Sequence, residues 1–127
     1  MANEIALSCK ATVAKTGTTI TNATSTKTLD MTGTNMFHSV LNITTTRVQI
    51  ETSFTGVSVA ANYWVLVRNQ DTTAANSITL YLTDATTYPI TVVPIGSLAL
   101  VQCVGGKSIW AASASANAEM EILAWEV

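Results

Sequence analysis

The sequence predicts an all-β protein: a single antiparallel β-sandwich spanning residues 1–127, jelly-roll in form, with about eight or nine strands. Three observations carry this. Apolar and polar residues alternate with period two in several runs, most cleanly where Ile78, Leu80 and Leu82 point one way and Thr79, Tyr81 and Thr83 the other. Strand-like runs recur at the ~8–12-residue spacing of sandwiches and barrels, and no window sustains a helical period. Threonine dominates the polar residues, and its branched Cβ favours extended backbone.

With 127 residues the chain can bury a core without disulfide or metal staples. It is 48% hydrophobic and only 11% charged, against ~25% charged in ordinary soluble domains, and its mean hydropathy is +0.35. Such a surface needs covering. No apolar run approaches the ~18–20 residues of a spanning helix, and 6% aromatics cannot supply the girdles of a membrane barrel. The expected cover is therefore other protein, including copies of the same chain, and not a membrane. A net charge of −2 without a basic patch argues against nucleic acid as a partner. Residues 1–10 lack the basic, apolar and cleavage segments of a secretory signal, so synthesis in a host cytoplasm is expected. Cys9 and Cys103 have no metal-type spacing and read as buried thiols in strands rather than a disulfide.

In chain order, residues 3–12 form a first strand with Ile5, Leu7, Cys9 and Ala11 on one side. Residues 16–35 are rich in Thr, Ser, Asn and Gly; they read as a loop, a weakly specified strand pair, or an arm packing on a neighbouring subunit. Met36–Ile43 is a strand with Phe37, Leu41 and Ile43 on one face. Arg47–Phe54 looks like an amphipathic strand, with Arg47 and Glu51 together on its wet face. Tyr63–Asn69 is apolar on both faces and belongs in the middle of a sheet, covered on two sides. Across the loop Gln70–Asn76 it is expected to form a central hairpin with residues 77–84. Pro89 and Pro94 bracket an edge strand or a crossing between sheets. Ser97–Val104 follows, then Gly105-Gly106 as a tight hairpin returning through Lys107–Ala112. The small residues of A-S-A-S-A-N-A could make a short helical turn, and E-M-E-I-L-A-W-E-V closes the chain as a strand.

Chemistry-bearing constellations are sparse. Gly105–Ser108 reads G-G-K-S like the tail of a phosphate-binding loop, but Val101 stands where that loop needs its first glycine and no helix follows. His38 is the sole histidine, with no nucleophile elbow to serve. One histidine and two distant cysteines suit no metal site. A carboxylate pair for sugar hydrolysis would have to be assembled from Asp30, Asp71, Asp84 or Glu51. Neither a catalytic residue, a cofactor site nor an enzyme is expected. In the last strand Met120, Ile122 and Ala124 share one face, leaving Leu123, Trp125 and Val127 on the other beside Glu119 and Glu121. An outward Trp with two aliphatics suits a subunit interface; the alternative is a strand buried on both faces. Trp110 is a second interface candidate on the same argument.

The block Y-W-V-L-V-R-N-Q-D…N-S-I-T-L-Y-L…Y-P-I-T-V-V-P-I-G-S-L-A-L-V-Q resembles small bacteriophage virion structural proteins, over roughly residues 62–127. That group includes capsid decoration or cement proteins and β-sandwich domains of head and tail fibres. The resemblance implies a non-enzymatic virion protein, most simply a decoration protein. It would act as a homo-oligomer, a trimer by preference, and bind other virion proteins such as the major capsid protein. The other implied role is a tail- or fibre-associated carbohydrate-binding domain, for which Trp64, Trp110 and Tyr88 would supply the stacking platform.

Overall fold

The structure, a computed structural model, describes residues 4–7, 11–15, 18–22, 27–30, 35–58, 60–73, 76–82 and 89–126. The chain divides into two compact units, Met1–Thr32 and Gly33–Val127. The first contains β1 (Glu4–Leu7), β2 (Ala11–Lys15), β3 (Thr18–Asn22) and β4 (Lys27–Asp30). Its pairings are nested: β1 lies antiparallel to β4 and, inside that pair, β2 to β3. The stretch read as residues 3–12 thus belongs to two strands, and β3 and β4 occupy much of the Thr-rich segment 16–35. Cys9 lies outside the described residues.

The second unit holds β5 (Met36–Ile43), β6 (Val48–Gln49), β7 (Tyr63–Asn69), β8 (Ile78–Leu82), β9 (Pro89–Val93), β10 (Leu98–Cys103), β11 (Ile109–Ser113) and β12 (Ala118–Glu126). First pairs with last throughout: β5 with β12, β6 with β11, β7 with β10, β8 with β9, all antiparallel. Rolling this long hairpin up adds the pairs β7–β12 and β8–β11, giving two four-stranded sheets ordered β10-β7-β12-β5 and β6-β11-β8-β9. That is a jelly-roll sandwich. Both sheets feed one core, with Val65, Val67 and Ile122 from the first meeting Ile78, Leu80 and Ile109 from the second, all fully buried.

Several expectations are corrected. β7 and β8 form no hairpin, because they lie in different sheets, and the segment between them crosses the end of the sandwich. Two buried asparagines fasten that crossing. Asn69 donates to the carbonyls of Asn76 and Val93, and Asn76 donates to Asp71 and the Asn117 carbonyl while accepting from Ala116 N–H. Gly105-Gly106 likewise turns a corner from one sheet to the other, since β10 and β11 do not pair. Gly106 supplies a positive φ of 76°, and Gly105 sits against the backbone of Ala60 and Ala61 with no room for a Cβ.

The third correction concerns Arg47–Phe54. Only Val48 and Gln49 are strand; Glu51–Ser53 is one turn of 3-10 helix. Ile50 and Phe54, the residues that cap this turn at its two ends, are both buried. Glu51 is not on a wet face beside Arg47. Its carboxylate is buried, accepting the Ile109 N–H at 2.9 Å and the Gln49 amide, while the Arg47 guanidinium lies 4.0 Å over the Tyr81 ring. The A-S-A-S-A-N-A segment forms a bend between β11 and β12 rather than a helical turn.

Cys103 is a free, fully buried thiol. Burial pushes its pKa up, an effect the hydrogen bond with Tyr63 partly offsets and the charge of Glu51 adds to. A maleimide is therefore expected to modify it, in a Cys9→Ser background, only as fast as the chain unfolds. Rapid labelling of the native protein, unaffected by denaturant, would contradict this placement.

Candidate functional site: one apolar sheet face

Alternation along β7 and β12 sends Tyr63, Val65, Val67, Met120, Ile122 and Ala124 into the core. The residues between them form the outer face of the β10-β7-β12-β5 sheet, and the registers place these in rows. Met36, Trp125, Trp64 and Gln102 lie side by side; next come His38, Leu123, Leu66 and Leu100; then Val40, Glu121, Arg68 and Leu98. The first two rows are largely apolar. β7, expected to be covered on two sides, is sealed only toward the core; Trp64 and Leu66 are half-buried and Arg68 is exposed.

The exposed aliphatics of this face sit on its edge strands. Leu98 is 65% exposed, Met36 56% and Val40 51%, with Leu100 beside them. The central-strand residues Leu66 and Leu123 are shielded by neighbours and line, with Leu98, a shallow hollow of about 250 Å³. Its rim is polar: His38 Nε2 lies 3.0 Å from Glu121 Oε1, Gln70 donates to Oε2 at 2.7 Å, and Arg68 stands 3.7 Å away. The hydrogen bond from His38, helped by Gln70 and the Arg68 charge, holds the Glu121 carboxyl below its ordinary range. The small stabilisation from this solvent-screened cluster is present above the ordinary carboxyl pKa and fades as pH falls through the lowered one.

The four interface candidates separate. Trp125 does lie on the outer side of β12, as alternation demands, but it is fully buried rather than exposed, and its indole N–H has no acceptor. Flanked by Met36 and Trp64, it is an internal packing residue and offers no surface to a partner. Leu123 is half-buried on the same face. Trp110 is half-buried on the outside of the other sheet, paired with Gln49 and Tyr81. Val127 lies outside the described residues. The most exposed members of the surface, Leu98, Met36 and Val40, were not among the interface candidates. Nothing local marked Leu98, because β10 has apolar residues on both sides, whereas the alternation of β5 sets Val40 on the side opposite Phe37, Leu41 and Ile43.

The geometry also bears on the other chemistries weighed. Trp64 and Trp110 occupy opposite outer faces of the sandwich and cannot share one stacking platform; Tyr88 lies outside the described residues. Glu51 acts on Tyr63 at the start of β7 and Asp71 follows its end. About 20 Å of strand separates them, far beyond the ~5–9.5 Å of a glycosidase pair. Asp30 belongs to the other unit and Asp84 lies outside the described residues. Asp71 is committed to its own loop: the Thr73 N–H and the Asn76 amide hold its carboxyl low. Among the described residues no three His, Cys, Asp or Glu side chains gather as for a metal.

Fold and surface together define the protein's class: a jelly-roll β-sandwich with an apolar outer sheet face. No described protein family matches the chain, and no curated protein does. A solved structure, described as "Bacillus endospore appendages form a novel family of disulfide-linked pili", is similar at 13% identity. The match covers 73% of this chain and 86% of that one, with a TM-score of 0.48.

Proposed function

We propose that this chain is a non-enzymatic structural protein of a bacteriophage particle, acting as a homo-oligomer, most simply a trimeric capsid decoration protein. One observation carries the reading. A chain with only 11% charged residues exposes Leu98, Met36, Val40 and Leu100 on the edge strands of one sheet, beside a half-covered apolar face, and Val48, Leu82, Ile90 and Val92 on the other sheet. Covering apolar area contributes about 25 cal/mol per Å² before the costs of association. A protein that binds only the assembled shell stabilises that state by linkage. The carbohydrate-binding alternative is not favoured, since its two described tryptophans face opposite ways.

The reading is tested by mass spectrometry of phage particles purified from cells producing them alongside this chain. The chain is expected in the purified particles in a fixed ratio to the major capsid protein. Its confinement to the soluble fraction, with none in the particles, would overturn the proposal.

A further inference from the structure

The sandwich has four sheet edges, and they are not alike. In the β6-β11-β8-β9 sheet both are blunted. β6 is two residues long, while β9 begins at Pro89, is followed by Pro94 and pairs with β8 through a register shift at Leu80/Tyr81. Short strands, prolines and bulges are the devices by which sheets avoid pairing with strangers. In the β10-β7-β12-β5 sheet neither edge carries any of them. β5 runs eight residues and β10 six, with no proline, no Lys, Arg, Asp or Glu and no bulge. Among the described residues neither has a strand on its outer side. These two strands also carry the four exposed aliphatics of the sheet, Met36 and Val40 on one and Leu98 and Leu100 on the other.

We infer that copies of this chain join head to tail, β5 of one pairing antiparallel with β10 of the next, so that the sheet runs on from copy to copy. This rests on the oligomer reading above and names its interface. The direction of the strands permits it. Every neighbouring pair in the sheet is antiparallel, so the edges of a four-stranded sheet run oppositely, and a second copy in the same orientation presents β10 to β5 the right way round. Six residues of β10 give about 20 Å of ladder. Their main-chain groups gain partners, and where the sheet's rows run on, Leu98 lies opposite Val40 and Leu100 opposite His38, diagonal to Met36 and Val40 on the outer face. Docking onto the flat of the sheet would leave the edge main chain unpaired. A two-fold pairing of one edge with itself would leave the other edge open, whereas head-to-tail pairing uses both in every copy. It closes a ring or builds a fibre.

The test uses two variants of the whole chain, Met36→Lys/Val40→Lys and Leu98→Lys/Leu100→Lys, with melting curves to show that each folds. Light scattering should find each variant alone to be a single copy, because every β5–β10 contact then has one blocked member. Mixed in equal amounts they should form a complex of two copies that grows no further, joined through the one intact β5 and the one intact β10. Retention of the unmodified chain's mass by either variant places assembly on another surface and overturns the inference, leaving the oligomer reading standing. A variant that alone forms a dimer means an edge pairs with its own copy, and also overturns it, as does a mixture that stays monomeric. An unmodified chain that is itself a single copy removes the oligomer reading and this interface with it.

Discussion

Replacing Trp125 with alanine is expected to cost about 3–5 kcal/mol of stability, the range for emptying a buried aromatic site. The ring is fully buried at the far end of the longest strand, in register with Met36 on one side and Trp64 on the other. The indole N–H contributes nothing to this, because it has no acceptor. Trp125→Phe, which keeps most of the ring and removes an unpaired buried donor, is therefore expected to cost less than about 1.5 kcal/mol. Chemical denaturation of the two variants separates the effects. A mild Trp125→Ala loss, or equal losses in both, would show that the residue is not packed as described. The same pair bears on assembly: with its ring internal, Trp125→Phe should leave the oligomer mass unchanged.

The second large effect is expected at Gly105. A Cβ there would lie 2.1 Å from the Ala60 carbonyl oxygen and 2.8 Å from its carbon, and both are backbone atoms that cannot swing aside as a side chain would. The Gly105 N–H is meanwhile held by Asn62 Oδ1 at 3.1 Å, so the corner cannot simply lift away. Gly105→Ala should destabilise by about 1–3 kcal/mol or more through overpacking. Gly106 provides the contrast: nothing lies within 4 Å of its added Cβ, and only its φ of 76° opposes a side chain. Gly106→Asn, whose side chain tolerates that conformation, should be nearly silent, whereas Gly105→Asn should be worse than Gly105→Ala. Thermal melts ranking Gly106→Asn as the more harmful would refute this division of labour between adjacent glycines.

Much of the architecture was legible because alternation reports which side of a strand meets the core. Met120, Ile122 and Ala124 are inward as their spacing demands, Phe37, Leu41 and Ile43 share the inner side of β5, and the proline-bracketed β9 is an edge. Which strand lies beside which was not legible. β7 and β8 are close in sequence and apolar in pattern, yet both partners of β7, and β11 beside β8, stand about 30 or more residues away, a pairing that local periodicity cannot report. At Arg47–Phe54 the alternation suited a strand, and nothing local marked the 3-10 turn whose buried Glu51 carboxylate accepts the Ile109 N–H. Of the candidate surface, the apolar outer side of β12 was readable from its spacing. The burial of Trp125 matches the alternative of a strand covered on both faces, between which spacing alone could not choose, and the exposure of Leu98 depends on neighbours supplied by other strands.

A lone copy of this chain is expected to be unfinished. Light scattering on the purified, unmodified chain over a hundredfold range of concentration decides the matter. A particle of more than one copy, with monomer emerging only on dilution, is the expected result; a single copy at every concentration would contradict the claim.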